Sequence, residues 1–201
     1  MSIPTEEEPV RRILVVDDEE NIRYTFTAFL EDAGRRVETA SSRAETLRLV
    51  DEGSYDLVFL DISLGKESGL DLLVELRQRS PFCPVVMITG SPEVNTATEA
   101  LRRGAFDYVP KPLRQDTLLR VTRQALHHRL LVEQRERYRA HLDAIFRNVR
   151  DGILLVDRNL ALLEANAAAM VFFDLPCGDA KMPLSRLPET VGGPLRELTG
   201  Q

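Results

Sequence analysis

The 201-residue chain has only two cysteines, Cys83 and Cys177. They are far apart and lack metal-ligand spacing, which excludes a disulfide framework and a thiolate metal centre. Both are expected to be buried free thiols. No run approaches the roughly 20 consecutive apolar residues a membrane-spanning helix needs. The segment from Met1 to Pro9 is acidic and polar and lacks the basic and apolar stretches of a secretory signal. A basic face is missing as well: the net charge is −6, which argues against nucleic-acid binding by this stretch, because neutralising phosphates requires clustered cations. Internal repeats and low-complexity tracts are absent. These absences point to a cytoplasmic protein with no membrane contact. What is present is a 43% apolar composition, enough for at least one substantial core.

That apolar content is patterned. Ile13-Leu14-Val15-Val16, Val37-Glu38-Thr39-Ala40, Leu57-Val58-Phe59-Leu60, Val85-Val86-Met87-Ile88-Thr89 and Asp107-Tyr108-Val109 read as five strands. Each is separated from the next by room for one helix, which implies a parallel sheet with crossover helices. The first, third and fourth runs are almost wholly apolar, as expected for strands covered on both faces. The second is more polar and suits an edge. Ile22, Phe26, Phe29 and Leu30 form the stripe of a first helix ended by Gly34. Ser42 caps a second that ends at Gly53, Ser80-Pro81 stops a third, and Pro92 opens a fourth running to Gly104.

Glycine and proline are then absent from Leu113 to Val149. A helical pattern this long without caps predicts a connecting helix that also pairs two chains, although Arg129 and Arg135 interrupt a clean seam. Beyond Arg150-Asp151-Gly152, Ile153 to Val156 reads as a strand, Asp157 to Asn159 as a turn, Leu160 to Glu164 as the returning strand and Asn166 to Phe173 as a short helix. From Pro176 onward, proline and glycine crowd the sequence and no regular element is placed.

In an open parallel sheet, ligands bind outside the carboxyl ends of the strands. There the sequence puts Asp17 and Asp18 after the first strand, Asp61 after the third, Thr89 after the fourth and Lys111 after the fifth. Three carboxylates together repel one another, and a hard divalent cation with oxygen ligands, Mg²⁺, resolves that repulsion. A carboxylate left free on one oxygen can attack phosphorus. Asp61, ending a central strand, is the candidate. Lys111 would neutralise the incoming phosphoryl group and Thr89 would hydrogen-bond it.

Ile-Leu-Val-Val-Asp-Asp-Glu (13–19), Leu-Val-Phe-Leu-Asp-Ile (57–62), Val-Val-Met-Ile-Thr-Gly (85–90) and Gly-Ala-Phe-Asp-Tyr-Val-Pro-Lys-Pro (104–112) resemble bacterial response-regulator receiver domains over residues 10–128. The resemblance implies a doubly wound α/β fold, a five-stranded parallel sheet of flavodoxin-like order 2-1-3-4-5. It also implies phosphorylation of Asp61 by a partner histidine kinase. Mg²⁺ would be held by Asp18, Asp61 and the Ser63 backbone carbonyl, with Asp17 acting through water. Thr89 and Tyr108 match a switch pair, and Lys111 the phosphoryl-binding cation. Phosphorylation would then change the face formed by the fourth helix, fifth strand and fifth helix. One departure is visible: Gly65 stands where family members commonly carry proline, four residues after the acceptor, whereas the family's glycine eight residues after it is present as Gly69.

Residues Ile145–Asp157 and Leu163–Ala169 resemble the entry, second strand and following helix of a PAS sensor domain. The expected organisation is therefore an N-terminal flexible stretch (1–9), a receiver (10–128), a signalling helix (129–147) and a partial or truncated PAS-like domain (148–201) with a small α+β character. Together these imply a two-component input module that homodimerises and controls a downstream output, such as DNA binding and transcription, through a domain beyond Gln201. The alternatives are the front of a hybrid sensor kinase, or a phosphatase-like hydrolase with an Asp nucleophile. Ser63 speaks against the hydrolase, because such enzymes place a second Asp two residues after the nucleophile. The chain is thus read as a switch, not an enzyme.

Overall fold

The computed structural model describes residues 10–158, 161–173 and 175. The elements run β1 (Arg12–Val16), α1 (Glu20–Asp32), β2 (Arg36–Ala40), α2 (Arg43–Glu52), β3 (Leu57–Asp61), β4 (Ser63–Leu64), β5 (Glu67–Ser68), α3 (Gly69–Arg79), β6 (Val85–Thr89), α4 (Val94–Arg102), β7 (Asp107–Pro110), α5 (Gln115–Asn148), β8 (Leu154–Val156), β9 (Leu162–Ala165) and α6 (Ala167–Phe172). Two compact units divide at Gln134/Arg135, inside α5.

In the first unit five strands pair in parallel in the order β2-β1-β3-β6-β7. Leaving aside the small β4–β5 hairpin, this is the 2-1-3-4-5 order expected from the sequence. β3 and β6 are buried along their whole length and β1 nearly so, while β2 and β7, at the edges, are more exposed. Side chains alternate across a strand, and here the alternation fills two cores. Ile13, Val15, Leu57, Phe59, Val86 and Ile88 pack against α1 and α5 through Phe26, Leu30, Leu118 and Val121. Leu14, Val16, Val58, Leu60, Val85 and Met87 pack on the opposite face against α3 and α4 through Leu72, Leu73, Leu76 and Ala100. A sheet covered on both faces explains why its central strands carry no polar alternation.

The local signals act largely as read. Ser42 accepts a hydrogen bond from the Glu45 N–H at the start of α2. Gly34 takes φ +75° just beyond α1, a left-handed conformation open to glycine. Pro92, expected inside the first turn of the fourth helix, instead lies ahead of the cap residue Glu93. Cys83 is buried and free, while Cys177 lies outside the described residues. So do Met1–Pro9 and the proline- and glycine-rich segment expected to be irregular. None of the described helices is long and apolar enough to cross a membrane.

On the β1–β2 edge, Glu38 accepts hydrogen bonds from the Tyr55 hydroxyl and the Arg12 guanidinium, both at 2.7 Å. The Tyr55 bond and then the Arg12 bond hold the Glu38 carboxyl below its ordinary value of 4.5, against a smaller opposing effect of burial. A lowered folded-state pKa contributes stability above the unfolded pKa that is lost as pH falls through the folded one. Glu38→Gln is therefore expected to be less stable than wild type at neutral pH, and the difference to shrink below pH 4.5. Urea titrations across pH 3–7 (roughly the carboxylate range) check this.

In the second unit β8 and β9 form an antiparallel hairpin, and Asn166, 1% exposed, ties it to α6. Its Oδ1 accepts from Ile153 N–H and Ala169 N–H, both at 2.9 Å, and its Nδ2 donates to the Asp151 carbonyl at 2.9 Å. The expected return strand starts two residues late, at Leu162, with 159 and 160 outside the described residues. Asn166→Ala removes three side-chain hydrogen bonds at once and leaves the buried Ala169 N–H without its partner, which costs about 1–3 kcal/mol. The second unit is expected to lose its protection from amide exchange while the first keeps its own.

Candidate functional site

The carboxyl ends of β1, β3, β6 and β7 bring together Asp17, Asp61, Thr89 and Lys111. Asp17 is fully buried, and Asp61 and Thr89 are each 4% exposed. The hydrophobic strands explain the placement: each carries its last residue to the rim of the sheet, and parallel pairing puts the rims side by side. Lys111 joins the carboxylates. Its Nζ lies 2.7 Å from Asp17 Oδ2, 3.0 Å from Asp61 Oδ2 and 3.0 Å from Glu19 Oε1. Burial works against the Lys111 charge, yet its interactions with these carboxylates outweigh it and raise its pKa above the usual value.

Asp17 shows the opposite balance. Burial raises its pKa, helped by the charge of Asp61, and Lys111 and the Glu19 N–H offset this only in part. The Glu19 N–H donates to Asp17 Oδ1 at 2.9 Å. Asp17 Oδ2 is buried and faces the Lys111 ammonium at 2.7 Å. Oxygen atoms of Asp17, Glu19 and Asp61 lie within 4.8 Å of one another. One ammonium facing three carboxylates leaves the locus net negative, and clustered carboxylate oxygens are the kind of donors a hard cation takes up. The residues fit a divalent ion.

Asp18 is exposed and outside this trio; its Oδ2 lies 3.9 Å from where a Cβ on Gly65 would sit. Gly65 has φ +62°, a backbone that proline with its fixed φ near −65° cannot adopt. The departure at this position thus has a conformational reason. Ser63 is exposed, and its N–H donates to Asp61 Oδ1 at 3.4 Å. The Thr89 hydroxyl accepts from the Ser91 N–H at 3.1 Å. Tyr108 is half-buried against the α3–α4 core, with its hydroxyl buried and without a hydrogen bond.

Two contributors are not evident from the sequence. Glu19 reads locally as no more than a helix-start acid, although it directly follows the aspartate pair. Arg23, one turn into α1, donates to the Asp17 and Asp18 carbonyls at 2.7 and 2.9 Å and fixes the loop that presents them. Nothing in the local sequence marks that arginine.

Residues 13–123 match the response regulator receiver domain. The chain is 37% identical over 165 residues to the alginate biosynthesis transcriptional regulatory protein AlgB of Pseudomonas putida, covering 77% of this chain and 36% of AlgB. It is 39% identical over 127 residues to the nitrogen assimilation regulatory protein NtrX of Azorhizobium caulinodans, covering 62% and 28%. The crystal structure of the receiver domain of NtrX from Brucella abortus superposes with a TM-score of 0.55 at 42% identity, covering 57% of this chain and 98% of that one. The chain spans about a third of the length of these curated relatives. With the β2-β1-β3-β6-β7 sheet and its acidic rim, residues 13–123 establish that the chain belongs to the response-regulator receiver family.

Proposed function

We propose that this chain is the input module of a two-component transcriptional regulator, switched by phosphorylation of Asp61. The observation that carries the reading is Lys111 Nζ held 3.0 Å from Asp61 Oδ2 and 2.7 Å from Asp17 Oδ2, a cation positioned beside a carboxylate at the mouth of the sheet. In the reaction an Asp61 carboxylate oxygen bonds to phosphorus as the bond from phosphorus to the donor histidine nitrogen of a partner kinase breaks. Lys111 follows the charge onto the phosphoryl oxygens, and the Thr89 hydroxyl exchanges its Ser91 bond for one to the same group. Mg²⁺, when bound, neutralises charge on the phosphoryl oxygens; Asp18, Asp61 and the Ser63 carbonyl would hold it, with Asp17 acting through water and Glu19 beside them. Ser63 lacks the acid–base function that turnover requires, so Asp61 acts once on its own chain.

The output follows from Tyr108. Its buried, unpartnered hydroxyl gives it little to lose by turning when Thr89 moves, which re-forms the α4–β7–α5 surface. The second half of α5, with Tyr138 66% exposed and Leu142 and Ile145 each 46% exposed, supports pairing of two chains along the helix. The β8–β9 hairpin and α6, joined by Asn166, support a PAS-like element after it. The name of the AlgB relative, a transcriptional regulatory protein, favours a transcriptional output over a sensor kinase, with the protein working in the cytoplasm. Intact-mass measurement tests the central claim: with Mg²⁺ and acetyl phosphate the wild-type chain should gain a single phosphoryl group, and an unchanged mass would overturn it.

A further inference from the structure

At the end of the sheet remote from Asp61, four basic side chains from three separate parts of the first unit line one cavity of about 170 Å³. Arg11 precedes β1, Arg35 sits in the turn between α1 and β2, and Arg123 and His127 lie one turn apart on α5, with Leu126 and Leu130 completing the wall. Residues four apart on a helix share a face, so both α5 side chains address the same space. The backbones are pinned: the Arg36 N–H donates to the Arg11 carbonyl and the Arg35 N–H to the Leu30 carbonyl, both at 3.0 Å.

The pairing of these arginines is uneven. Arg11 reaches Asp56 at 3.0 Å and Glu133 at 3.6 Å. Among the described residues, neither the Arg35 nor the Arg123 guanidinium has a hydrogen-bond or ion-pair partner. Other arginines of the same unit do find carboxylates: Arg12 pairs with Glu38, Arg43 with Glu75 and Arg103 with Asp71. In a chain of net charge −6, two unpaired guanidiniums lining one cavity with a third and an imidazole form a local positive focus against the overall field.

We propose that this cavity is a binding site for a phosphoanion, either free polyphosphate or the phosphate chain of a nucleotide. Planar guanidiniums grip phosphate oxygens through paired N–H donors, a recognition lysine does not match. The cavity is smaller than the about 300–1,000 Å³ of pockets that enclose whole drug-sized ligands; it takes the phosphate group and leaves any base and sugar outside. An occupant would bridge the β1 and α1–β2 edge to α5 and so stiffen the root of the helix that leaves the unit. The site is independent of the Asp61 chemistry.

The test is calorimetric titration of the full chain in EDTA with inorganic pyrophosphate and, separately, with ADP. Saturable binding of at least one probe is expected, retained by Asp61→Asn and weakened at least tenfold in the Arg35→Ala/Arg123→Ala double variant. Similar affinity for both probes assigns the site to free polyphosphate chemistry, and ADP binding alone assigns it to a nucleotide. Absence of saturable binding to wild type overturns the proposal, as does an unweakened double variant. Should circular dichroism show the double variant unfolded, Arg123→Gln, a change at an exposed position, provides the same comparison.

Discussion

Asp61→Asn is expected to take up no phosphoryl group under conditions in which the wild-type chain, given Mg²⁺ and acetyl phosphate, takes up one. The substitution keeps the shape of the side chain and removes the anionic oxygen that must attack phosphorus. The fold should survive it. Asp61 ends β3, its neighbour Ile62 donates its N–H to the Ile88 carbonyl at 3.0 Å, and the strand is buried throughout. The electrostatic effects oppose one another. Loss of the 3.0 Å Lys111–Asp61 pair removes an attraction, whereas loss of the Asp61 charge relieves the repulsion that helps raise the Asp17 pKa. Charges at such separations interact by about 4 kcal/mol at an effective dielectric near 20, so the two nearly cancel and stability should change by only about 1 kcal/mol. Intact mass and a urea midpoint measured on the same sample separate a lost nucleophile from a lost fold. Uptake by the variant equal to wild type would move the acceptor to another residue.

Gly69→Ala is expected to be among the most damaging single substitutions in the molecule. A Cβ at this position would stand 1.9 Å from the Asp61 carbonyl oxygen and 3.0 Å from the Ile62 Cα. Both are backbone atoms, so no side chain can swing aside. Gly69 is buried as the first residue of α3, and its N–H donates to the Ile62 carbonyl at 2.8 Å. Relief would require prising α3 from β3, against the packing of the buried Leu72, Leu73 and Leu76. Overpacking costs about 1–3 kcal/mol where neighbours can adjust; here they cannot, and a loss of at least about 3 kcal/mol is expected from the urea midpoint. Phosphoryl uptake should fall with it, because the atom displaced is the carbonyl of the acceptor residue. A variant as stable as wild type would show that the β3–α3 turn yields more easily than its packing implies.

The fold is legible because its signals are local and mutually consistent. Unbroken apolar runs such as Ile13 to Val16 and Val85 to Ile88 identify strands covered on both faces, and Ser42, Gly34 and Ser80-Pro81 mark helix ends with residues suited to them. The strand-end residues Asp17, Asp61, Thr89 and Lys111 are readable for the same reason: parallel pairing converts positions spread along the sequence into one rim. Less legible is anything set by the geometry of that rim. Glu19 reaches Lys111 across 92 residues of sequence, and Arg23 braces the aspartate loop through backbone carbonyls that no side-chain pattern advertises. The short β4–β5 hairpin leaves no mark in the sequence, because two-residue strands have no period to detect.

Gly69 separates the two kinds of information. Helix propensity alone ranks alanine above glycine by about 1 kcal/mol, so the residue viewed locally calls for the substitution that the packing forbids. The sequence by itself placed Asp17, Asp61, Thr89 and Lys111 at the strand ends, because strand burial and strand ends follow from residue type and spacing. Only the tertiary structure decided that α3 begins in contact with the acceptor's own carbonyl, that Glu19 joins Asp17 and Asp61 around Lys111, and that, among the described residues, Arg35 and Arg123 are left without carboxylates. Those contacts are set by how two layers of helices close over the sheet.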